Sequence, residues 1–180
     1  MLKGNKVTLR PVKRADISFF LKWFNDPEVI QYLGAYLPMT EMAEEKFIEE
    51  LSNPARSQAQ VLLVIEANEG DINKPIGNCA LNGINSKDHA AMFGIGIGEK
   101  DYWSKGYGTE AARLLLNYGF EQLNLHRIFS TALAFNERSL RLHRKVGFKE
   151  EGRARQAMFK NGQYHDLVHF GILREEWRGL

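Results

Sequence analysis

A single cysteine, Cys79, leaves this chain of 180 residues without the means to form an internal disulfide. It sits in a strand-like run and reads as a small buried hydrophobe. No apolar run approaches the ~20 residues that cross a bilayer, and the opening Met-Leu-Lys-Gly-Asn-Lys lacks the apolar segment of a secretion signal. Cytoplasm is therefore the expected location, with no membrane partner. The net charge is only +2, and the basic residues are not interleaved with exposed aromatics, so nucleic acid is not expected either. Internal repeats, low-complexity segments and Pro/Gly/Ser linkers are all missing, which predicts a single domain over residues 1–180 with a substantial core. No metal is expected. His165 and His169 share one face of a strand but lie about 13 Å apart at ~3.3 Å per residue, too far to hold one ion.

What is present is an ordinary globular composition, 44% hydrophobic and 26% charged, and one stretch with unusual chemistry. From Ile95 to Gly98 the chain reads as the end of an apolar strand, and from Thr109 as the start of a helix. Gly106 and Gly108 lie in the turn between them. Glycine lets a backbone take positive φ and come close to a ligand, and the first N–H groups of a helix have no partner within it. Such a turn is an anion site suited to phosphate. The spacing Gly106-x-Gly108-x-x-Ala111 also fits a dinucleotide fingerprint. That motif wants its glycines directly after the strand and an acidic residue about 20 positions on. Here Glu99 to Lys105 intervene and Ile128 stands where the acid belongs, so the dinucleotide reading fails.

Taken in order, Val7, Leu9 and Pro11 predict a first strand near an edge. Asp16 is expected to cap a helix carrying Phe19, Phe20, Trp23 and Phe24, with Pro27 limiting its extent. Glu28 to Pro38 reads as an irregular connection. Thr40 begins a helix that buries Phe47, Ile48 and Leu51, sends its glutamates to water and stops at Asn53-Pro54. Three strands follow, Val61–Ala67, Ile76–Ile84 and Ala91–Gly98, joined by turns short enough for an antiparallel meander. Gly94, Gly96 and Gly98 leave one face of the third bare, as a ligand lying along it would require. The helix Thr109–Leu123 is apolar nearly all round and must be buried. Arg127–Leu133 reads as a strand parallel to its predecessor. A short helix stopped by Gly147 comes next. Two strands, Arg153–Phe159 and Tyr164–Leu173, flank a strong Asn161-Gly162 hairpin signal. The order β, α, α, β, β, β, α, β, α, β, β describes a mixed sheet with helices on its faces.

This arrangement resembles the GNAT superfamily, the Gcn5-related N-acetyltransferases, over essentially the whole chain. Tyr102-Trp-Ser-Lys-Gly-Tyr-Gly-Thr-Glu-Ala111 is similar to that family's acetyl-CoA pyrophosphate loop, written Gln/Arg-x-x-Gly-x-Gly/Ala. Asn136-x-x-Ser139-x-x-Leu142-His143-x-Lys145-x-Gly147-Phe148 is similar to its second cofactor block. Trp103 in place of the loop's Gln/Arg, with the ending Gly162-x-Tyr164-x-Asp166, most resembles the branch of ribosomal-protein-alanine and small-amine N-acetyltransferases. The implied fold is α+β (mixed α/β), a mostly antiparallel sheet of about seven strands with one splayed parallel pair and helices on both faces. The implied reaction moves an acetyl group from acetyl-CoA to a primary amine, the acceptor being a protein N-terminus or a small amine such as a polyamine. A homodimer is the assembly this fold often adopts.

Carried over residue by residue, the resemblance implies that the backbone of Ser104, Lys105, Gly106, Tyr107, Gly108 and Thr109 holds the pyrophosphate. Asn136 would hydrogen-bond the pantetheine arm, and Arg138, Arg141, Arg144 and Lys145 could meet the 3′-phosphate. The chemistry itself needs a base or a water chain for the amine, an N–H for the carbonyl oxygen and an acid for the leaving thiolate. Ile97 at the splayed strand's edge is the expected N–H. Ser139 is the first candidate acid, by resemblance, with His143 second. Glu99 is the first candidate base and Asp166 the second, while Glu110 is expected to complement the helix dipole. The acceptor is expected between the Pro27–Pro38 loop and the final hairpin. Glu28, Glu41, Glu44 and Glu45 are available for a polyamine, although a solvated helix accounts for the last three. The rival reading is a non-catalytic acyl-CoA-binding regulator, which turnover with any amine would exclude.

Overall fold

One eight-stranded sheet organises the protein, in the order β1-β2-β3-β4-β5-β6-β8-β7. The computed structural model describes residues 1–51, 53, 59–70 and 72–180. The strands are Leu2–Lys3 (β1), Val7–Pro11 (β2), Gln60–Glu69 (β3), Ile72–Asn85 (β4), Ala90–Ile97 (β5), Arg127–Leu133 (β6), Lys149–Lys160 (β7) and Gln163–Leu173 (β8). The helices are Ile17–Phe24 (α1), Pro27–Ile30 (α2), Glu41–Glu50 (α3), Tyr107–Glu121 (α4) and Glu137–Lys145 (α5). The two-residue β1 raises the strand count above the seven that periodicity shows; it is too short to carry a pattern.

Neighbouring residues on a strand face opposite ways, and β3 displays this directly. Val64 packs with Phe20, Trp23 and Val29 under α1 and α2, whereas Ile65 joins the larger cluster formed with α4 and α5. In α4, Ala111, Ala112, Leu115, Leu116 and Phe120 are all buried. The Asn161-Gly162 turn has φ of 51° and 82° at its two central residues, the geometry that Asn-Gly favours in a two-residue hairpin.

Several local expectations change. Thr40 caps α3 as expected, its hydroxyl accepting from the Ala43 N–H at 3.3 Å. Asp16 does not cap α1 through its side chain. Its carboxylate accepts from the Lys13 N–H at 2.7 Å and forms two 2.7 Å hydrogen bonds with Arg10. The connection after Pro27 contains a helical turn, because Pro27 occupies its first position and the Asp26 side chain caps it at 2.9 Å. Glu44 does not face water; it is buried beneath α3. Pro54, expected to end that helix, lies outside the described residues.

The strands that matter for function are β5 and β6. They pair in parallel through only three positions, Ala90↔Arg127, Ala91↔Ile128 and Met92↔Phe129, and then diverge. The bare face of β5 has a different explanation from a ligand at one of its three glycines. A Cβ on Gly98 would lie 2.1 Å from the Trp23 ring, so that glycine exists to admit the indole. Gly94 and Gly96 do border open space.

Candidate active site

Where β5 and β6 part, a cleft of about 600 Å³ opens between them. Its walls carry unused backbone groups. Gly98 N–H donates to Ile76 O across β4 at 2.8 Å, and hydrogen-bonding direction alternates along an antiparallel strand. Given the Gly77↔Ile97 register, the backbone groups of Phe93, Ile95 and Ile97 therefore point into the splay. Two of their carbonyls are taken by side chains. Phe93 O accepts from Ser130 Oγ at 3.0 Å, and Ile97 O accepts from the Trp103 indole N–H at 2.7 Å. Among the described residues the N–H groups of Ile95 and Ile97 have no strand partner on that side. On β6, Ala134 N–H bonds Asp166 O, so by the same alternation Thr131 and Leu133 face the opening.

At the wide end two helix N-termini converge. Gly106 is the N-cap of α4 with φ of 92°, and Ser104 is left-handed at 60°. Backbone N–H groups are thus presented around a turn that the positive end of α4 backs. Gly108 leaves room for Leu142, which would lie 3.2 Å from a Cβ there. Asn136 caps α5, its Oδ1 accepting from the Ser139 N–H at 3.1 Å. Its Nδ2 makes no hydrogen bond among the described residues. Ser139, in the first turn of α5, faces the cleft.

Of the cations expected at the phosphate end, Arg138, Arg141 and Lys145 line the cleft. Arg144 does not: it turns toward Glu150, 3.6 Å away. Lys6 was missed. Its ammonium donates to Lys105 O at 3.0 Å, beside the loop, and nothing local in sequence marks a residue 99 positions away. Glu110 has more than a dipole to complement. Its carboxylate accepts from the N–H groups of Asn5, Lys6 and Val7 at 2.7–3.0 Å, fastening β2 to the first turn of α4. Across the cleft mouth the Arg138 guanidinium lies 3.9 Å from the Trp103 ring centre and 4.7 Å from that of Tyr32. This cation–π bridge joins α5 to the loop after α2.

The acid–base candidates separate clearly. His143 is 2% exposed, with Nδ1 2.8 Å from Ser139 O and Nε2 2.9 Å from Ser130 Oγ, and it stacks on Phe170. Burial pushes its pKa down, against the opposing pull of the Ser139 carbonyl. A buried ring wedged between the Ser139 carbonyl and the Ser130 hydroxyl is a tie between α5 and β6, not a free proton donor. Glu99 does not line the cleft. Burial favours its neutral form, but hydrogen bonds from Lys22 at 2.6 Å and the Trp23 indole at 2.8 Å prevail and hold its pKa below the usual range. It is a poor base. Asp166 accepts from the Gln156 N–H at 2.9 Å, likewise outside the cleft. Among the described residues no carboxylate lines the cleft at all.

The loop after α2 and the final hairpin do meet. Gly34 approaches the Met158 side chain, Lys160 donates to Ala35 O, and Phe135 packs on His165. They close the end of the cleft opposite the Gly106 turn.

A family model for the acetyltransferase (GNAT) domain matches residues 6–149. The chain is 30% identical over 181 residues to the spermidine N(1)-acetyltransferase of Escherichia coli (strain K12), covering 98% of this chain and 91% of that one. It is 38% identical over 103 residues to the putative ribosomal N-acetyltransferase YdaF of Bacillus subtilis (strain 168), covering 57% and 56%. Among solved structures, the spermidine N-acetyltransferase of Vibrio cholerae in complex with CoA and spermine superposes with a TM-score of 0.86 at 26% identity, covering 95% of this chain and 97% of that one.

Proposed function

This chain belongs to the GNAT family of acetyltransferases and takes acetyl-CoA as its donor; from that premise we propose that the acceptor is a primary amine, which attacks the thioester directly in the splay between β5 and β6. The observation that carries this reading is the pair of unpartnered N–H groups at Ile95 and Ile97, facing an opening that ends at the Gly106 turn. The residues fit the donor. The turn and the α4 N-terminus suit a pyrophosphate, Arg141 and Lys145 suit a further phosphate, and the free β5 edge suits the amides of an extended arm.

Acetyl-CoA supplies an activated acyl group and a thiolate leaving group. The Ile97 N–H donates to the carbonyl oxygen as negative charge grows there. The Ser139 hydroxyl stands at the positive end of α5, where it donates to the departing sulfur. With no carboxylate lining the cleft among the described residues, the amine's proton leaves through water, and the acceptor must attack as the free base. The single domain over residues 1–180 and a cytoplasmic location belong to the same proposal.

Thiol release against peptides with free N-termini and against alkylamines tests the reaction. Ser139→Ala is expected to lower kcat about tenfold or more while leaving the affinity for acetyl-CoA within about twofold. Unchanged kcat would remove Ser139 from the mechanism. Gly106→Ala forces a Cβ into a left-handed residue at ~1–2 kcal/mol. It is expected to weaken acetyl-CoA binding about tenfold by calorimetry, because the turn must relax away from the conformation that aims its N–H groups. Undiminished affinity would place the pyrophosphate elsewhere.

A further inference from the structure

Glu44 is 2% exposed, and its carboxylate has no hydrogen-bond or ion-pair partner among the described residues. It lines a second cavity, about 440 Å³, between α1, α3 and the strands β3–β5. Two more polar groups stand there without partners. Asn78 makes no side-chain hydrogen bond among the described residues, and Asn82, whose Oδ1 accepts from Gln60 Nε2 at 2.6 Å, leaves its Nδ2 free. No fully enclosed polar side-chain atom among them lacks a partner, so all three groups open onto the cavity they line.

The asparagines carry this polar lining to the bare face of β5. A Cβ on Gly96 would lie 3.5 Å from Asn78 Oδ1, and one on Gly94 would lie 3.8 Å from Asn82 Nδ2. Gly94, Ile95 and Gly96 line the cleft as well, so the two spaces adjoin over that face, beside Leu33. A space of this size with three open polar groups meets the conditions for holding water. Cys79 is the other ionisable group on the lining, and burial keeps it a thiol by pushing its pKa up. For the fold alone, an apolar residue in place of Glu44 would serve better, since a carboxyl buried without a partner is costly. Burial also raises the pKa of Glu44, toward the range where a carboxylate exchanges protons effectively.

We infer that Glu44 is the final proton acceptor for the attacking amine, reached through water that crosses the glycine face of β5. The inference rests on the amine-acetyltransferase reading above and deepens it. An ammonium in the cleft gives one proton to water, and transfer along the water leaves it on Glu44, so that ammonium and carboxylate become free amine and carboxylic acid. The amine nitrogen then bonds to the acetyl carbon as the C–S bond breaks. Its second proton replaces the one that Ser139 gives to the departing sulfur, and amide and thiol result. Glu44 returns its proton to solvent before the next turnover. Asn78 and Asn82 touch neither reactant; they hold the water in file.

The test follows thiol release from acetyl-CoA against pH, with a panel of primary amines, for the wild type and Glu44→Gln. In the wild type, kcat/KM should rise as Glu44 ionises and then stay level up to the amine's own pKa, because carboxylate and ammonium remain matched over that interval. Glu44→Gln should lose at least about a hundredfold in kcat/KM at neutral pH. Its profile should climb about tenfold per pH unit with no plateau below the amine's pKa, since only the free base then reacts. Acetyl-CoA affinity by calorimetry should stay within about twofold, which separates proton transfer from damage to the fold. With aminoacetonitrile, an amine already deprotonated at neutral pH, the deficit should shrink to within about threefold. A Glu44→Gln profile parallel to that of the wild type, or an equal loss with aminoacetonitrile, overturns the inference; so does a wild-type profile without a plateau. A wild type that releases no thiol with any amine overturns the amine reading itself, so the two failures are distinguishable.

Discussion

Gly77→Ala is expected to lower the free energy of unfolding by about 3 kcal/mol, the upper end of what an added methyl costs in a packed interior. The methyl would lie 2.2 Å from Gly96 O and 2.9 Å from the Ile97 Cα. Both are backbone atoms of the neighbouring strand, and neither can rotate away. β4 and β5 must separate at the residue whose N–H faces the cleft, so acetyl-CoA affinity should fall with stability. Urea denaturation would show a lower midpoint at unchanged slope. Gly152→Ala, where nothing lies within 4 Å and φ is not positive, is the control and should stay within about 0.5 kcal/mol. A Gly77→Ala protein as stable as that control would show that the β4–β5 contact is looser than these distances.

Arg10→Ala should cost about 3–5 kcal/mol by stranding two carboxylates. Arg10 is 6% exposed, donates to Asp16 through both terminal nitrogens, and reaches Glu66 Oε1 through Nε at 2.6 Å. Burial alone would raise the pKa of Asp16. The hydrogen bonds and charge of Arg10, with the Lys13 N–H, outweigh it and bring the pKa below the ordinary value. A carboxyl with a depressed folded-state pKa stabilises fully above its unfolded value, ~3.9, and loses that contribution as the pH falls below it. Wild-type stability should therefore decline below about pH 4. The gap between wild type and Arg10→Ala should narrow over the same interval, since the variant has no Arg10–Asp16 pair to lose. A gap that stays constant from neutral pH to pH 3 would mean that the pair contributes little.

The features legible in the sequence are those that spacing along the chain can encode. Period-two runs marked β2 to β6 and the final hairpin, Asn161-Gly162 marked its turn, and Gly106-x-Gly108 marked the loop that opens α4. What stayed hidden depends on contacts between elements, most of them far apart in the chain. Asp16 looked like a cap because Ser, Thr, Asp and Asn before a helix usually are; only the fold brings Arg10 to it. His143 sits in a recognised block, yet of the three rings that bury it only Phe148 belongs to that block; Phe93 and Phe170 come from strands before and after it. Glu99 lay at the right end of the right strand, and its side chain turned to Trp23 instead of the cleft. Glu44 was masked by its neighbours: among five glutamates on one helix, periodicity does not reveal that one has been drawn inward. The bare face of β5 was visible, but Gly98 serves the Trp23 indole, and no pattern along one strand distinguishes an indole from a ligand.

The three-residue seam between β5 and β6 also bears on how the molecule withstands heat. Five strands lie on one side of it and three on the other, joined there by a short ladder and by the α4 crossover. Whatever occupies the splay touches both halves and supplies rungs that the chain omits. Occupancy then adds to the resistance of the whole sheet by mass action, about 2.7 kcal/mol at a hundredfold excess over the dissociation constant. With acetyl-CoA in the splay, as proposed, the melting temperature of this protein becomes a readout of its supply: a metabolite then completes the sheet, which is weakest when that metabolite runs short.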